Sequence, residues 1–317
     1  MDSMGEIKER GYRVALLSGG GGSEHEVSLV SGESVQGALD ALGIPSDRHI
    51  LERRGLPHCL RPKRDLVLPL IHGSYGEDGQ LSAELAAGGF AYAGSGQAAS
   101  ALCFDKLACK AVAAHGQVPV ARDHLLLQDD PPAYAVLRRQ LREPMILKPR
   151  FDGSSVGLFF VKSEVGYGEA LKGGLTGDYL AEEFVEGIDL TVGILDGEPL
   201  GVVAVHPEGG LYDYAHKYTR GLTRYDVPAR LDESLRSQLC EWSRELFRIC
   251  GCRDFGRIDF RLGTEGTVVF LEINTLPGMT PTSLLPKTAS CVGISFEDLV
   301  LRLVTRALGR IEPGGGE

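Results

Sequence analysis

Short apolar segments alternate with helical patterns along the first third of the chain. Residues 13–18 and 65–72 are mostly apolar runs, which is typical of strands that are buried on both faces. Residues 26–42 and 80–87 instead repeat apolar positions at the spacing of one helix face. Because strands that alternate with helices form parallel sheets covered by helices, we predict such a domain at residues 1–96.

The middle of the chain predicts a smaller subdomain at residues 97–181. A helix is expected at residues 105–115. Two strands are expected at residues 144–150 and 158–162, joined by a turn of glycine and serine, which indicates a hairpin rather than a helical crossover. A further strand at residues 179–185 would leave this subdomain.

Residues 182–317 have a mostly antiparallel pattern. Asp196-Gly197 is a hairpin turn sequence between two apolar runs. Residues 209–228 are polar and aromatic without periodicity, and loops of that length in compact domains are usually functional or disordered. We expect strands at residues 191–195, 200–206, 255–262 and 267–274, and helices at residues 232–250, with Asp232 as N-cap, and 295–309.

Composition and charge narrow the possible functions. The 317 residues are 43% hydrophobic and 24% charged, which is an ordinary globular balance, and the formal net charge is −10. A nucleic acid is therefore not an expected partner, because its phosphates need a cationic surface. A smaller phosphorylated ligand would have to be bound by a few well-placed lysines, arginines and metal ions.

The sequence also predicts a cytoplasmic location. The polar N-terminus lacks the apolar core of a signal peptide, and no apolar run is long enough to span a bilayer, so no membrane association is expected. The seven cysteines are odd in number and scattered, which favours reduced, mostly buried thiols over a disulfide framework. Cys250-Gly-Cys252 lacks a second cysteine or histidine pair at zinc-finger spacing.

Oxygen-bearing side chains cluster on the last two predicted strands. Glu272 and Asn274 are two residues apart and so face the same way, while Asp259 lies on the partner strand with Arg257 two residues before it. Two carboxylates and an amide oxygen suit Mg²⁺, and Arg257 would stabilise negative charge on a transferring phosphoryl group or tetrahedral carbon. On spacing alone, a solvated sheet face with ordinary ion pairs fits equally well.

Three lysines and a glycine–serine turn are candidate phosphate ligands. Lys148 ends a predicted strand, and the turn at residues 152–157 combines glycines with the hydroxyl of Ser154. Lys106 lies on a predicted helix, and Lys217 lies in the long loop, from which it would reach a γ-phosphate when the loop closes. Taken singly, these features also fit an ordinary hairpin and solvated lysines.

The glycine run at residues 19–22 does not predict a dinucleotide site. The G-x-G-x-x-G pattern would need glycine at position 24, where Glu24 would repel a pyrophosphate. Glu24 suits an ammonium ligand better. The sequence has no P-loop pattern, so a P-loop nucleotide-binding protein is not favoured. Asp254-Phe-Gly matches the magnesium-binding tripeptide of kinases, but no kinase catalytic loop precedes it, so a kinase is not favoured either.

His72 ends a predicted strand, at the sheet edge where ligand crevices of parallel sheets lie. There it would bind a carboxylate, with Glu77 orienting the imidazole. A histidine that only stabilises a turn is the alternative interpretation of this position.

Taken in chain order, these motifs resemble the D-alanine–D-alanine ligases of the ATP-grasp superfamily. The resemblance covers nearly the whole chain, and the number and order of the blocks make it specific. The matching blocks are Ser23-Glu-His-Glu-Val-Ser28, His72-Gly with Gly76-Glu-Asp-Gly79, Tyr92-Ala-Gly-Ser-Gly96, Asp105-Lys106, Lys148-Pro149, Gly153-Ser-Ser-Val-Gly157, Tyr212-Asp-Tyr214, Lys217-Tyr218, Gly256-Arg-Ile-Asp259 and Glu272-Ile-Asn-Thr-Leu-Pro-Gly-Met-Thr280.

The resemblance implies an α/β ATP-grasp fold. A parallel-sheet domain that precedes the ATP-grasp region would be followed by two α+β subdomains, at residues 97–181 and 182–317, that enclose the nucleotide. The implied ligands are ATP and two molecules of D-alanine. The implied cofactor is Mg²⁺, as two ions, with Mn²⁺ as an alternative. The implied assembly is a homodimer, and the implied role is peptidoglycan precursor synthesis.

The resemblance also implies roles for single residues. Lys106 and Lys148 match phosphate ligands, and Glu182, with its neighbour Glu183, Val185 and Asp189 match the adenine and ribose contacts. Asp259, Glu272 and Asn274 match magnesium ligands, and Arg257 and the Gly278 N–H match the groups that hold a developing oxyanion. Around the substrates, the matches are Glu24, Ser154 and Tyr218 near the first D-alanine, His72 near its carboxylate, and Ser283 and Leu284 at the second.

The chain departs from the family pattern at a few positions. Glu183 stands where lysine is frequent, Asp189 is shorter than the usual glutamate, and Asp152 replaces a glutamate, but each metal ligand is retained. Tyr218 favours an amide product, since relatives that make an ester typically carry histidine there. The remaining alternatives are another ATP-grasp carboxylate–amine ligase and a non-catalytic nucleotide-binding protein.

Overall fold

The computed structural model describes residues 3–153, 156–207 and 223–311. Its helices are α1 (Ser3–Glu9), α2 (His25–Ala41), α3 (Gln80–Ala87), α4 (Gln97–Phe104), α5 (Lys106–His115), α6 (Tyr134–Gln140), α7 (Glu164–Lys172), α8 (Glu233–Ile249), α9 (Leu284–Ser290) and α10 (Phe296–Leu308).

The strands of these residues form three sheets. They are β1 (Arg13–Gly19), β2 (Ser46–Leu51), β3 (Asp65–Pro69), β4 (Ala91–Tyr92), β5 (Asp123–Leu126), β6 (Met145–Pro149), β7 (Phe159–Val161), β8 (Tyr179–Glu183), β9 (Gly187–Leu195), β10 (Glu198–Pro207), β11 (Thr223–Asp226), β12 (Phe255–Gly263) and β13 (Val268–Asn274).

The N-terminal sheet has the order β2-β1-β3-β4, and all its pairs are parallel, as the apolar runs predict. Residues 14–17 of β1 are fully buried because helices cover both faces. The C-terminal helix α10 returns to this sheet and packs against α2 and β3. The N-terminal sheet and the end of the chain therefore share one apolar core.

The central sheet has the order β5-β8-β6-β7 with antiparallel pairs, so the predicted hairpin of β6 and β7 is confirmed. The C-terminal sheet has the order β11-β10-β9-β12-β13, also antiparallel. The turn at Asp196-Gly197 has positive φ at both residues, 60° and 80°, as a two-residue hairpin requires, and it joins β9 and β10 as predicted.

Several predicted boundaries need correction. Strand β3 ends at Pro69 rather than at His72, because proline supplies no N–H to the ladder. Residues 223–226 of the predicted long loop form β11 by pairing with β10, and residues 208–222 lie outside the described part of the chain. Asp232 is the N-cap residue of α8, but its side chain makes no capping hydrogen bond.

None of the helices within the described residues combines the length and apolar character needed to cross a bilayer.

Candidate active site

The register of β12 and β13 brings the three predicted metal ligands together. Asp259 lies opposite Glu272, and Arg257 lies opposite Asn274 on neighbouring antiparallel strands. Ile258 alternates with them and is fully buried on the other face of the sheet. The Asn274 Nδ2 atom lies 3.3 Å from Asp259 Oδ2 and 3.4 Å from Glu272 Oε1, so the three side chains share one small space.

This donor set fits a hard divalent cation. Asp259 and Glu272 contribute carboxylate oxygens, and rotation of the Asn274 amide exchanges its nitrogen for its oxygen. Thr191 Oγ1 donates a hydrogen bond to Asp259 Oδ1 at 2.6 Å, which fixes the orientation of that carboxylate. The residues that are present could therefore hold Mg²⁺.

Arg257 makes a two-point contact with Asp259. Its Nε and Nη2 atoms donate to the two carboxylate oxygens at 2.9 and 2.8 Å. Each side chain is only 14% exposed, so water screens the two charges poorly. The guanidinium is thus held at a defined point beside the carboxylate of Asp259, where it would stabilise new negative charge.

Asp105 fixes the start of the helix that carries Lys106. Its carboxylate accepts hydrogen bonds from two backbone N–H groups of the first turn and two more from Arg150, at 2.9 and 2.6 Å. Burial alone would raise the pKa of Asp105, but Arg150 and the helix amides lower it below its ordinary value. From this anchored turn, Lys106 Nζ donates to the Asp152 carbonyl and lies 3.9 Å from Glu272 Oε2.

Lys148 belongs to a buried ion network. Its Nζ atom lies 2.8 Å from Glu182 Oε2, and the other oxygen of Glu182 lies 2.6 Å from Lys110 Nζ. Lys110 also lies 2.5 Å from Asp123 Oδ2 and donates to the Ala121 carbonyl at 3.0 Å. The network therefore ties α5 to the central sheet.

The charges of this network are set by its own members. Burial would raise the pKa of Glu182, but Lys148 and Lys110 reverse this effect and lower it, so the carboxylate is ionised at neutral pH. Burial lowers the pKa of Lys148, the charge of Glu182 opposes that shift, and Lys110 reinforces it. The charge of Glu182 thus favours the ammonium form of the buried Lys148.

The predicted adenine and ribose contacts line the same region. Arg261 Nη1 donates to Asp189 Oδ1 at 2.8 Å, and its Nε donates to the Val185 carbonyl at 2.9 Å. The carboxylate of Glu183 accepts a hydrogen bond from Arg122 Nε at 3.2 Å. The carboxylate of Asp189 is therefore held in position by Arg261.

Two cavities meet at this site. The first is lined by Lys106, Lys148 and the residues of the predicted adenine and ribose contacts. The second is lined by residues that the sequence assigns to the two amino-acid substrates, namely Glu24, His72, Glu77, Gly278, Ser283 and Leu284. Four residues border both cavities, namely Gly153, Arg257, Glu272 and Leu284.

Glu24 lies at the N-terminal end of α2, beside two glycines, and is 7% exposed. Its side chain does not cap the helix. A Cβ atom at Gly73 or at Gly153 would lie 2.9 Å from Glu24 Oε2, so the carboxylate of Glu24 would have to shift. Glycine at both positions therefore lets two loops approach the carboxylate where it lines the second cavity.

His72 is buried, and both of its ring nitrogens contact protein groups. Nδ1 lies 2.8 Å from the Leu276 carbonyl, and Nε2 lies 3.1 Å from Ser31 Oγ, which also accepts from the Met279 N–H. Burial lowers the pKa of His72, so the ring is neutral, with Nδ1–H donating and Nε2 accepting. The imidazole thus holds the loop that contains Gly278, and its contact with a substrate carboxylate stays a prediction.

The expectation that Glu77 orients His72 is wrong. Glu77 Oε1 accepts from the Gly73 N–H at 3.0 Å, because the tight turn of residues 73–77 folds the side chain back onto its own loop. Burial, reinforced by the charge of Glu24, raises the pKa of Glu77 to about 8. Glu77 is therefore mostly protonated at pH 7.

The loop after β13 supplies the far wall of the second cavity. Thr280 N–H donates to Ser283 Oγ at 3.1 Å, and the two hydroxyl oxygens are 2.8 Å apart. A Cβ atom at Gly278 would lie 3.1 Å from Ser283 Oγ, so the loop is tightly packed there. Leu284 begins α9 and separates the two cavities.

Three of the predicted site residues, Ser154, Lys217 and Tyr218, lie outside the described residues, as does most of the predicted long loop at residues 209–228.

Three residues of the site were not singled out from the sequence. Lys110 follows Lys106 by four residues on a predicted helix, and Arg261 continues the alternation of Arg257 and Asp259, so local spacing could have found both. Thr191 meets Asp259 only through the pairing of β9 with β12, which no local pattern indicates.

Comparison with known proteins gives one consistent family. The sequence model of the family described as D-ala D-ala ligase C-terminus matches residues 118–305. The D-alanine--D-alanine ligase of Geotalea uraniireducens (strain Rf4) is 37% identical over 313 residues, which cover 96% of this chain and 98% of the relative. That of Anaeromyxobacter sp. (strain Fw109-5) is 38% identical over 308 residues, which cover 95% and 98%.

Solved structures agree with this result. The D-alanine--D-alanine ligase from Bacillus anthracis superposes with a TM-score of 0.81 at 26% identity, covering 94% of this chain and 98% of its own. The VanG D-Ala:D-Ser ligase from Enterococcus faecalis, at 24% identity, shares the fold with a TM-score of 0.82 and covers 93% and 99%. The predicted ATP-grasp fold is confirmed, and the chain belongs to the D-alanine–D-alanine ligase family.

Proposed function

We propose that this chain uses ATP to join two molecules of D-alanine into D-alanyl-D-alanine through an acyl-phosphate. The observation that carries the proposal is the meeting of two cavities at Arg257 and Glu272. One cavity has lysines for phosphates, and the other has the carboxylate of Glu24 for an ammonium group. Relatives that are 37–38% identical along nearly their whole length and bear this activity in their names support it.

The first step activates the carboxylate of one D-alanine. A carboxylate oxygen attacks the γ-phosphorus of ATP, the bond between that phosphorus and the bridging oxygen of ADP breaks, and an acyl-phosphate forms. We assign phosphate binding to Lys106, Lys148 and Lys217. Glu182 and Lys110 hold Lys148 in place, and the capped start of α5 directs Lys106.

The second step forms the amide. The deprotonated amine of the other D-alanine attacks the acyl carbon, and the tetrahedral intermediate collapses by expelling phosphate. We assign the oxyanion to Arg257 and the Gly278 N–H, which both border the second cavity. Removal of one such donor typically costs about 3–4 kcal/mol of transition-state stabilisation.

The substrate ends are assigned by charge and position. Glu24, with Ser154 and Tyr218, would bind the first D-alanine, whose carboxylate lies near His72 and Glu77. Ser283 and Leu284 would bind the second D-alanine. The adenine and ribose would contact the segment that contains Glu182, Glu183, Val185 and Asp189.

The proposed metal ligands are Asp259, Glu272 and Asn274, holding two Mg²⁺ ions for which Mn²⁺ can substitute. When bound, the ions neutralise charge on the phosphate oxygens during phosphoryl transfer. Thr191 and Arg257 orient Asp259, and Lys106 lies close enough to Glu272 to offset part of its charge.

Five wider features belong to the proposal. The enzyme would work as a homodimer in the cytoplasm and supply peptidoglycan synthesis. The part of residues 209–228 that precedes β11 would close over the site and exclude water, which otherwise hydrolyses an acyl-phosphate. Tyr218 would favour an amine over a hydroxyl acceptor.

Product analysis tests the proposal. Purified protein with ATP, Mg²⁺ and D-alanine should release phosphate and form D-alanyl-D-alanine in equal amounts, by phosphate assay and mass spectrometry. A panel with D-serine, D-lactate and L-alanine should give less product. Product from other amino acids alone would support a different ATP-grasp ligase, and phosphate release that ignores amino acids would contradict both ligase assignments.

A further inference from the structure

Four cysteine thiols converge outside the active site, where α4, α5 and the end of α8 meet. The Sγ atoms of Cys103, Cys109 and Cys250 all lie within 4.8 Å of one another. Cys252 Sγ lies 3.5 Å from Cys103 Sγ. The first three residues are 4%, 1% and 4% exposed. We propose that this thiol cluster binds one structural zinc ion.

The spacing of the sulfurs suits a tetrahedral ion. Zinc–thiolate bonds of about 2.3 Å place the sulfurs of a tetrahedral site about 3.8 Å apart. The sulfurs of Cys103 and Cys252 are 3.5 Å apart, and those of Cys103, Cys109 and Cys250 are at most 4.8 Å apart, which is on the scale of that value. Thiolates are soft ligands that select zinc over magnesium, so the cluster would not compete for the ions of the active site.

The first half of the cluster is a rigid turn at the end of α8. Gly251 has φ of +70°, its N–H donates to the Arg248 carbonyl, and the Cys252 N–H donates to the Phe247 carbonyl. This Schellman arrangement ends the helix at Cys250 and reverses the chain. The turn places the thiols of both cysteines close to Cys103.

The second half is the bend between α4 and α5. Cys103 lies in the last turn of α4, and Cys109 lies in the first turn of α5, whose start is fixed by the Asp105 cap and its contact with Arg150. Cys103 and Cys252 are 149 residues apart in the sequence. The second ligand pair that Cys250-Gly-Cys252 lacks at zinc-finger spacing is therefore supplied from far away in the chain.

An ion could enter beside Cys252. This residue is half-buried and lines a surface cavity together with Arg248 and Arg253, while the other three thiols lie deeper. Bound zinc would link α8 to the helix that begins with Lys106. The ion would stabilise the placement of that lysine without contacting substrate, so its role is structural.

Metal content tests the site directly. The full-length protein, expressed with zinc and purified with a non-thiol reductant and no chelator, should contain about one zinc per chain by elemental mass spectrometry. Cys109→Ala and Cys250→Ala should each lose most of it. Cys240→Ala, which removes a half-buried thiol of α8 outside the cluster, should retain it.

A cobalt titration of the wild-type protein does not depend on how the variants fold. Reduced wild-type protein, stripped of metal, should bind one Co²⁺ with the visible and near-ultraviolet absorption of tetrahedral thiolate ligation, and Zn²⁺ should displace it. Thermal unfolding should then shift upward with added Zn²⁺ in wild type and Cys240→Ala only.

The proposal is overturned if the reduced protein neither contains zinc nor binds Co²⁺ in this way. Bound iron with inorganic sulfide, or a Cys103–Cys252 disulfide in metal-free protein, would overturn it as well. These measurements do not depend on turnover. Zinc binding can therefore be disproved while the ligase activity is confirmed, and zinc binding can be confirmed while the ligase activity is disproved.

Discussion

At the residue scale, the charges of the site are matched in pairs and small networks. Asp259 contacts Arg257, and Glu182 contacts both Lys148 and Lys110. Such pairing is needed because removing one partner of a buried ion pair leaves an uncompensated charge in a medium that solvates it poorly. Replacing one member of a pair by an uncharged residue of similar size therefore tests how much its partner depends on it.

Asp259→Asn should reduce turnover by more than about 100-fold, above the usual effect of losing an outer-shell metal partner. The change removes one charged metal ligand and leaves Arg257 without its two-point contact. The rate should be measured against Mg²⁺ concentration. Asp226→Asn, in a surface ion pair on β11, is the matched control. Unchanged turnover and Mg²⁺ dependence in Asp259→Asn would contradict the assignment.

Lys110→Met should destabilise the fold by about 3–5 kcal/mol, because it leaves Glu182 and Asp123 with a missing partner in a buried network. It should also raise the KM for ATP, since Lys148 loses part of its positioning. Denaturant unfolding measures the first effect and steady-state kinetics the second.

A second substitution, at Glu182, tests whether the uncompensated carboxylate causes the stability loss in Lys110→Met. Lys110→Met combined with Glu182→Gln should lose less stability than the sum of the single changes, because the uncompensated carboxylate is gone. Strict additivity would mean that the two side chains are not coupled. Lys63→Met, at an exposed lysine, serves as the control.

The contribution of Glu77 to the free energy of unfolding should fall as pH rises. Its pKa is raised to about 8 in the folded chain, so the folded state binds the proton more tightly than the unfolded state does. That stability is present in full below the unfolded pKa, near 4.5, and is lost as pH rises toward 8. Denaturant unfolding from pH 5 to pH 8 should show a smaller loss in Glu77→Gln than in wild type, and an identical slope would count against this pKa.

At the element scale, one short turn links two parts of the site. Asp105 caps α5 and contacts Arg150 at the end of β6, so the helix that carries Lys106 and the strand that carries Lys148 are fixed to each other. The same turn separates Cys103 from Cys109. The position of α5 therefore matters both for phosphate binding and for the proposed zinc site.

Two substitutions at Asp105 separate its cap from its charge. Asp105→Ala should cost about 1–2 kcal/mol of stability through the lost cap and should also raise the KM for ATP. Asp105→Asn keeps a good capping side chain, so it should retain most of the cap contribution while weakening the contact with Arg150. Equal stability losses in the two variants would show that the cap contributes little.

Elements with strong local patterns were predictable from sequence. The buried strand β1, the helix α2 and the hairpin at Asp196-Gly197 follow from apolar spacing and turn chemistry. Strand β11 was not predictable, because Thr223-Arg-Tyr-Asp226 has no apolar alternation and becomes a strand only by pairing with the edge of β10.

At the scale of the whole molecule, function depends on contacts between distant parts of the chain. The C-terminal helix α10 packs on the N-terminal sheet, and His72, shortly after β3, contacts the Leu276 carbonyl 204 residues later. These contacts place the cavity lined by Glu24 next to the cavity lined by Lys148. Local patterns indicated the candidate residues, but partners such as Lys110 with Glu182, 72 residues apart, required the tertiary structure.

The transfer of oxygen tests the proposed reaction most directly. If the D-alanine carboxylate attacks the γ-phosphorus, the bridging oxygen must leave with phosphate when the amine attacks the acyl carbon. With D-alanine labelled by ¹⁸O at both carboxylate oxygens, mass spectrometry should find one ¹⁸O in each phosphate released per dipeptide formed. Phosphate without the label, formed alongside dipeptide, would contradict acyl-phosphate formation at the junction of the two cavities.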